Sequence, residues 1–370
     1  MEGLKITYEY FKSLPSEALE KIEHKDLTVK MAKILVTGGT GYIGSHTAVE
    51  LHNAGYEVVI VDNLSNSNIK ILNQLHAITG KWFDFHEIDL QDEKAVQEFA
   101  ENHNDIDGII HFAASKAVGE SVEKPLKYYK NNFYGLINLL ISFNRKINFV
   151  FSSSCTVYGQ PETLPVTEAA SVQKAESPYG NTKQIAEEIL AETAAVTPDL
   201  SVIALRYFNP VGAHETALIG ELPNGIPANL VPFITQSAIG KRGPITVYGN
   251  DYDTPDGSAI RDYIHVVDLA KAHVAAIKKL EDGNPNGNYD VFNIGTGKGS
   301  SVLEIIAAFE KVNGEKLDYK IGPRRAGDIV QIYGDVQKAN NELGWKANLD
   351  INEMMRSAWE WEKYIKTNPF

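Results

Sequence analysis

From Met31 onward the chain alternates short apolar runs with longer stretches whose apolar positions recur at helical spacing. Ala32 to Thr37 reads as a buried strand, and a helix is predicted from about Ile43 to Ala54, with Gly55 as its stop. A second apolar run, Glu57 to Val61, ends at Asp62-Asn63. Two later runs, Asp107 to Ala114 and Asn148 to Ser154, are again separated by helical stretches. Strands apolar on both faces, alternating with helices, predict a parallel sheet wound on both sides, an α/β fold of Rossmann type.

Beyond Asn209 the texture changes. Pro210, Pro223, Pro227 and Pro232, with frequent glycines, predict a smaller α/β domain laid over the carboxyl edge of the sheet. The expected organisation is an N-terminal extension over residues 1–30, a dinucleotide-binding domain over 31–208, and a second domain that takes up most of 209–370. Arg261 to Asp268, an alanine-rich helical stretch and then Phe292 to Gly297 predict that the chain returns to the first domain around 262–298. Within the extension a short helix is expected from Ser16, its cap, to Lys25.

The turn after the first strand, Gly38-Gly39-Thr40-Gly41-Tyr42-Ile43-Gly44, has the spacing of a phosphate-binding loop. Gly38 permits a tight turn, Gly41 lets the backbone approach a pyrophosphate, and Gly44 lets the next helix pack closely on the strand. That helix points its unpaired amides at the phosphates. Asp62 stands where a carboxylate accepts hydrogen bonds from an adenosine ribose and repels a 2′-phosphate, so the expected cofactor is NAD rather than NADP. Small side chains at Ala113 and Ala114 suit a backbone lying against the cofactor, and suit ordinary packing equally well.

Ser152-Ser153-Ser154 puts hydroxyls at the carboxyl edge of the sheet, where open α/β folds bind ligands. Downstream, Tyr179 and Lys183 are spaced to share one face of a helix. A cation beside a phenol lowers its pKa from about 10. Tyr179 is therefore the candidate base, Ser154 the candidate hydroxyl donor and Lys183 the supporting cation. Spacing alone does not single them out, because Tyr8 and Lys12 repeat it with no nucleotide motif nearby. Without Tyr179, Ser154 would read as the cap of a helix or turn.

Thr37 to Ser45, Ser152 to Gly159 and Ser177 to Lys183 are together similar to the motifs of the extended short-chain dehydrogenase/reductase family. Phe112 to Ser121, Arg206 to His214, Tyr248 to Tyr252 and Arg261 to His265 resemble, within it, the UDP-glucose 4-epimerase family. The likeness runs from Met31 to about Trp361. It implies an NAD-dependent isomerase that interconverts UDP-glucose and UDP-galactose through a 4-keto sugar, the cofactor staying bound.

The resemblance also implies site residues. Tyr42, Ile43, Asp62, Asn63, Asp89, Leu90, Phe112, Ala113, Ala114, Lys116, Asn131 and Tyr207 fall where the family touches NAD, with Ser154, Tyr179 and Lys183 and the glycines. Lys116, Ser154, Tyr179, Asn209, Asn229, Leu230, Tyr248, Arg261, Tyr263, Arg325 and Asp328 fall where it grips the UDP-sugar. An arginine fork suits phosphate oxygens. Ile332 falls at the position that gates N-acetylated sugars, and its intermediate size implies side activity on UDP-N-acetylhexosamines. A homodimer is expected, paired through helices at Pro125 to Phe143 and Tyr179 to Thr197. Two readings compete with the epimerase: a 4,6-dehydratase and a non-catalytic NAD-sensing regulator. The dehydratase needs an acid pair where this chain has Cys155-Thr156, and the regulator has no need of Ser154, Tyr179 and Lys183 together.

Composition narrows the partners. Across 370 residues, 35 basic against 48 acidic side chains give a net charge of −13, which argues against nucleic acid or an anionic membrane. Cys155 is the only cysteine, so no internal disulfide forms and a reducing cytoplasm is the expected home. No apolar run reaches ~18 residues, so no membrane span is expected, and the first thirty residues lack the continuous apolar core of a secretory signal. The ten histidines show no paired ligand spacing, so no metal site is expected.

Overall fold

The computed structural model describes residues 31–283, 287–325 and 329–370. The helix expected at Ser16 to Lys25, the Tyr8 and Lys12 pair, and Asp328 lie outside the described residues.

The first half of the chain runs β1 (Lys33–Thr37), α1 (Tyr42–Asn53), β2 (Glu57–Asp62), α2 (Ile71–Thr79), β3 (Asp84–Glu87), α3 (Glu93–Asn102) and β4 (Gly108–His111). It continues through α4 (Val118–Glu123), α5 (Pro125–Ser142), β5 (Ile147–Ser152), α6 (Pro178–Val196) and β6 (Leu200–Tyr207). Then come β7 (Asn209–Val211), α7 (Leu230–Ala238), β8 (Ile245–Tyr248), β9 (Ile260–His265), α8 (Val266–Glu281) and β10 (Tyr289–Ile294). The last elements are β11 (Gly299–Ser301), α9 (Val302–Asn313), β12 (Tyr319–Gly322), β13 (Gln331–Ile332), α10 (Gln337–Glu342) and α11 (Ile351–Thr367).

Seven strands form one sheet in the order β10-β6-β5-β4-β1-β2-β3, parallel throughout. Side chains alternate across a strand, so Ile34 and Val36 enter one apolar core and Leu35 enters the other. Both faces are covered, which is why these strands are continuous apolar runs rather than alternating ones. The sequence pattern thus predicts the Rossmann-type sheet correctly. Gly55 lies just past α1 at φ +89°, and its N–H donates to the carbonyl of His52 at 3.0 Å. Strand order turns back between β1 and β4, the switch point at which such sheets bind ligands.

The remaining strands make smaller sheets. β9 pairs with β11, β13 and β7, and β8 pairs with β12. A third core, including Val211, Ile234, Val247, Phe309 and Trp359, lies among them. Between β9 and β11 the chain re-enters the large sheet, where β10 runs beside β6 from Tyr289 opposite Val202 to Ile294 opposite Tyr207. Among the described residues no helix is long and apolar enough to cross a membrane.

Candidate active site

The glycine turn is built by contact as well as by conformation. Gly38 has φ +71°, and a Cβ there would stand 2.9 Å from the Ala113 nitrogen. A Cβ on Gly44 would stand 2.2 Å from the Gly38 carbonyl oxygen. The turn after β1, the start of α1 and the end of β4 therefore meet with no room for side chains. Asp62 closes it: the buried carboxylate accepts from the Thr40 N–H at 3.2 Å, the Leu64 N–H at 2.9 Å and the Ser67 hydroxyl at 3.1 Å. A glycine cradle with a carboxylate fixed at the next strand end fits a dinucleotide bearing a free ribose 2′-hydroxyl.

Other expected cofactor residues are held by contacts of their own. Gln91 bridges two of them, its amide donating to Asp89 at 3.3 Å and to Asn131 at 3.3 Å. The Leu90 carbonyl accepts from Asn138 at 2.8 Å, and the Asn63 side chain accepts from the Ser65 N–H at 3.1 Å. Ile43 packs at the edge of the core that holds Ile34 and Val36, and Phe112 packs on the His273 ring at 4.6 Å. The Tyr42 hydroxyl donates to the Gly212 carbonyl at 2.6 Å, and the Lys116 ammonium lies 5.9 Å from the Tyr42 ring centroid.

At the end of β5 the three serines divide their work. The Ser152 hydroxyl bonds Tyr207 at 2.6 Å, and the Ser153 hydroxyl donates to Glu187. Ser154 caps the short 3₁₀ turn Cys155–Tyr158, its hydroxyl accepting from the Thr156 N–H at 3.2 Å, and it is close enough to the Tyr179 phenol to favour the anion there. The capping reading and the site reading of Ser154 are thus compatible. On α6, Ser177 caps the helix by accepting from the Gly180 N–H at 3.1 Å and Pro178 pre-sets its first turn. Tyr179 and Lys183 are both buried on that helix.

Their electrostatics differ from expectation. Burial pushes the Tyr179 phenol up, Tyr207 adds to the rise, and the nearby Ser154 hydroxyl pulls the other way. Burial pulls the Lys183 ammonium down to about 7 against the opposing charge of Glu187. Lys183 donates to the Ser152 carbonyl at 2.5 Å and lies 4.6 Å from the Phe151 ring centroid. Removal from water is the largest cause at both groups, and at Tyr179 it acts against the lowering that a cation beside a phenol produces. Cys155, beside Ser154, is buried and its thiol is pushed up to about 12, mainly by desolvation.

The expected sugar-nucleotide residues fall into three groups. Asn209 stands opposite Tyr263 on the β7–β9 ladder, and Ile332 opposite Arg261 on β13–β9, so four of them meet at β9 positions two residues apart. The Arg325 guanidinium stacks on the Tyr248 ring at 4.9 Å. Asn229, which precedes Leu230 at the start of α7, donates to Glu221 at 2.7 Å, and Lys116 approaches the same carboxylate at 3.7 Å.

A model of the NAD dependent epimerase/dehydratase family matches residues 34–295. A UDP-glucose 4-epimerase of Haemophilus influenzae is 51% identical over 333 residues, which span 89% of this chain and 97% of the relative. The chain belongs to the UDP-glucose 4-epimerase family. Two solved epimerases of the family overlay closely. That of Stenotrophomonas maltophila, holding NAD and a formylated UDP-arabinopyranose, has a TM-score of 0.87 at 46% identity, with 91% of this chain and 99% of the other covered. That of Bifidobacterium longum, with NAD⁺ and UDP, has a TM-score of 0.85 at 48% identity, covering 92% and 100%.

In this epimerase-family chain the structure adds three residues that the motifs do not disclose. Glu187 joins Ser153 to Arg206. Asn132 joins three segments: its side chain accepts from the Ser115 N–H at 2.8 Å and donates to the Ser115 carbonyl at 3.1 Å and to Thr182 at 3.0 Å. Glu221 joins Lys116 to Asn229. Glu188 follows Glu187 and Asn131 precedes Asn132, so the local pattern does not single these residues out.

Proposed function

We propose that this chain interconverts UDP-glucose and UDP-galactose by inversion at sugar C4, with NAD resident in the glycine cradle. The observation that carries the reading is the buried Tyr179 beside the buried Ser154, with Lys183 one helical turn on, at the carboxyl edge of a sheet whose switch point carries the cradle.

Bound NAD supplies a hydride acceptor that can return what it takes and, in its oxidised form, a positive charge that favours the Tyr179 anion. Tyr179 takes the proton of the C4 hydroxyl, and Ser154 holds the reacting oxygen by a short hydrogen bond. Lys183 is the residue that would hold the nicotinamide ribose. Asp62 would take the adenosine ribose, with Asn63, Asp89, Leu90 and Asn131 nearby. A 4-keto sugar turns over in the cleft and receives hydrogen on its opposite face, which inverts C4. Asn209, Asn229, Arg261, Tyr263 and the Arg325–Tyr248 stack would keep the nucleotide tethered meanwhile.

We place the substrate cleft between the large sheet and the smaller ones. Dehydration is disfavoured, because Cys155 and Thr156 stand where an acid pair is needed and the Cys155 thiol is held neutral. A homodimer is supported by α5, where exposed Leu126, Tyr134, Ile137 and Ile141 fall within one helical stripe. A cytoplasmic home is supported by the single, buried cysteine.

The deciding experiment is an epimerisation assay with UDP-galactose and no added NAD. Turnover is expected from the wild type. Tyr179→Phe should lose about 10²–10⁴-fold in kcat while retaining cofactor. A folded protein that holds no dinucleotide, or a Tyr179→Phe variant of unchanged rate, would refute the assignment.

A further inference from the structure

We infer that Asp84, His86 and His103 form a binding site for a divalent cation of the zinc class at the edge strand of the large sheet. Asp84 and His86 are two residues apart on β3, so both project to one side of the strand. His103 is delivered by the C-terminal end of α3. The fold brings their ligand atoms within 4.8 Å of one another. Asp84 Oδ1 lies 3.1 Å from His86 Nε2, and Asp84 Oδ2 lies 3.8 Å from His103 Nε2. Zinc with bonds of ~2.0–2.2 Å in tetrahedral array holds its donors roughly 3.3–3.6 Å apart, so small side-chain rotations complete the geometry.

The two imidazoles are already oriented as ligands. His103 Nδ1 sits 2.8 Å from the Phe99 carbonyl, which only accepts, so the neutral ring carries its proton on Nδ1 and its lone pair on Nε2. His86 Nε2 is shielded from water yet makes no hydrogen bond, although the Asp84 carboxylate is beside it. Two donors so close without hydrogen-bond geometry match two ligands of one cation. Phe99 fixes both rings, stacked on His103 at 4.2 Å and edge-on to His86 at 5.0 Å. The Asp84 side chain is 54% exposed, which leaves a fourth position open to water.

Two imidazoles and one carboxylate favour zinc and its transition-metal neighbours over magnesium or calcium, which take oxygen ligands. The cation would tie β3 to the end of α3 and stabilise the folded chain by binding it alone. This site takes no part in the chemistry at C4. Ion pairing between Asp84 and protonated imidazoles is the alternative use of the same residues, and it binds no zinc.

The test uses the full chain with its cofactor, treated with chelator, then titrated with zinc chloride in a calorimeter near neutral pH. Cobalt(II) serves as a visible-absorbance reporter of tetrahedral ligation. The expected result is one equivalent bound, a higher thermal midpoint, and at least tenfold weaker binding in His103→Gln and in Asp84→Ala. Asp84→Ala removes an exposed side chain, so it keeps the test decisive should the histidine variant fail to fold. No saturable binding, or equal affinity in wild type and Asp84→Ala, would overturn the assignment.

Discussion

Glu187 and Arg206 form a buried ion pair in which the Arg206 fork donates to both carboxylate oxygens, at 2.6 and 3.1 Å from its Nη2 and Nε to Oε2 and at 3.0 Å from Nε to Oε1. Glu187 also accepts from Ser153, next to Ser154, and Arg206 donates to the Tyr158 hydroxyl at 3.1 Å. The pair therefore fastens α6, which carries Tyr179 and Lys183, to the serine turn and to β6. Removing one partner strands the other charge away from water. Glu187→Ala should cost about 3–5 kcal/mol in urea unfolding. It should also lower kcat more than it raises KM, because the residues proposed to hold the sugar nucleotide are untouched. The double variant Glu187→Ala with Arg206→Met should recover part of the stability but not the rate. Recovery of both would show that the pair has no role in positioning Ser154.

Gly44 and Gly55 separate close approach from conformational need. A Cβ on Gly44 meets the Gly38 oxygen at 2.2 Å and the Gly39 Cα at 2.9 Å, both backbone atoms that cannot swing aside. A Cβ on Gly55 meets nothing within 4 Å, though φ is +89°. Gly44→Ala should cost about 1–3 kcal/mol and empty the cradle, seen as dinucleotide missing from the extract of denatured protein. Gly55→Ala should cost about 1–2 kcal/mol and retain the dinucleotide. Equal retention in the two variants would contradict the cradle.

What the sequence disclosed follows from what is local. The apolar runs of β1, β2, β4 and β5, the glycine turn and the Tyr179–Lys183 spacing on α6 each depend on residues within one or two turns of each other, so periodicity and turn chemistry reveal them. The Glu187–Arg206 clamp and the Asn132 bridge depend on which helix packs on which strand. The same holds for His86 and His103, whose spacing along the chain is unlike that of a metal motif. Tyr179 shows the difference most clearly. Its helical relation to Lys183 is local, whereas the burial that raises the phenol and lowers the ammonium belongs to the whole fold.

His273 predicts a loss of stability in acid. It is fully buried between Phe112 and Tyr207, with Nδ1 at 2.9 Å from the Leu269 carbonyl, and desolvation pulls it from its ordinary 6.5 to about 4. The unfolded chain therefore binds a proton here that the folded chain refuses between those two values. Stability is unaffected above about 6.5, falls as pH drops below it, and levels off below about 4, with a limiting slope of ~1.4 kcal/mol per pH unit. His273→Gln should flatten the measured dependence of unfolding free energy by that amount between these limits. An unchanged slope would mean that the imidazole is protonated in the folded state.

Ile332 is expected to limit how large a sugar the site admits. It is 3% exposed and packs with Cys155, Val157 and Phe208, next to the Ser154 turn and opposite Arg261. A side chain of this size leaves more room than an aromatic ring and less than alanine, so wild type is expected to turn over UDP-N-acetylglucosamine slowly beside UDP-glucose. Ile332→Ala should shift kcat/KM toward the N-acetylated sugar by about 10–200-fold, at a cost of about 2–5 kcal/mol for the emptied volume. Ile332→Tyr should abolish that side activity and spare the main reaction. If wild type and Ile332→Ala both leave the N-acetylated sugar untouched, Ile332 is a packing residue, and the limit on sugar size is set elsewhere in the cleft.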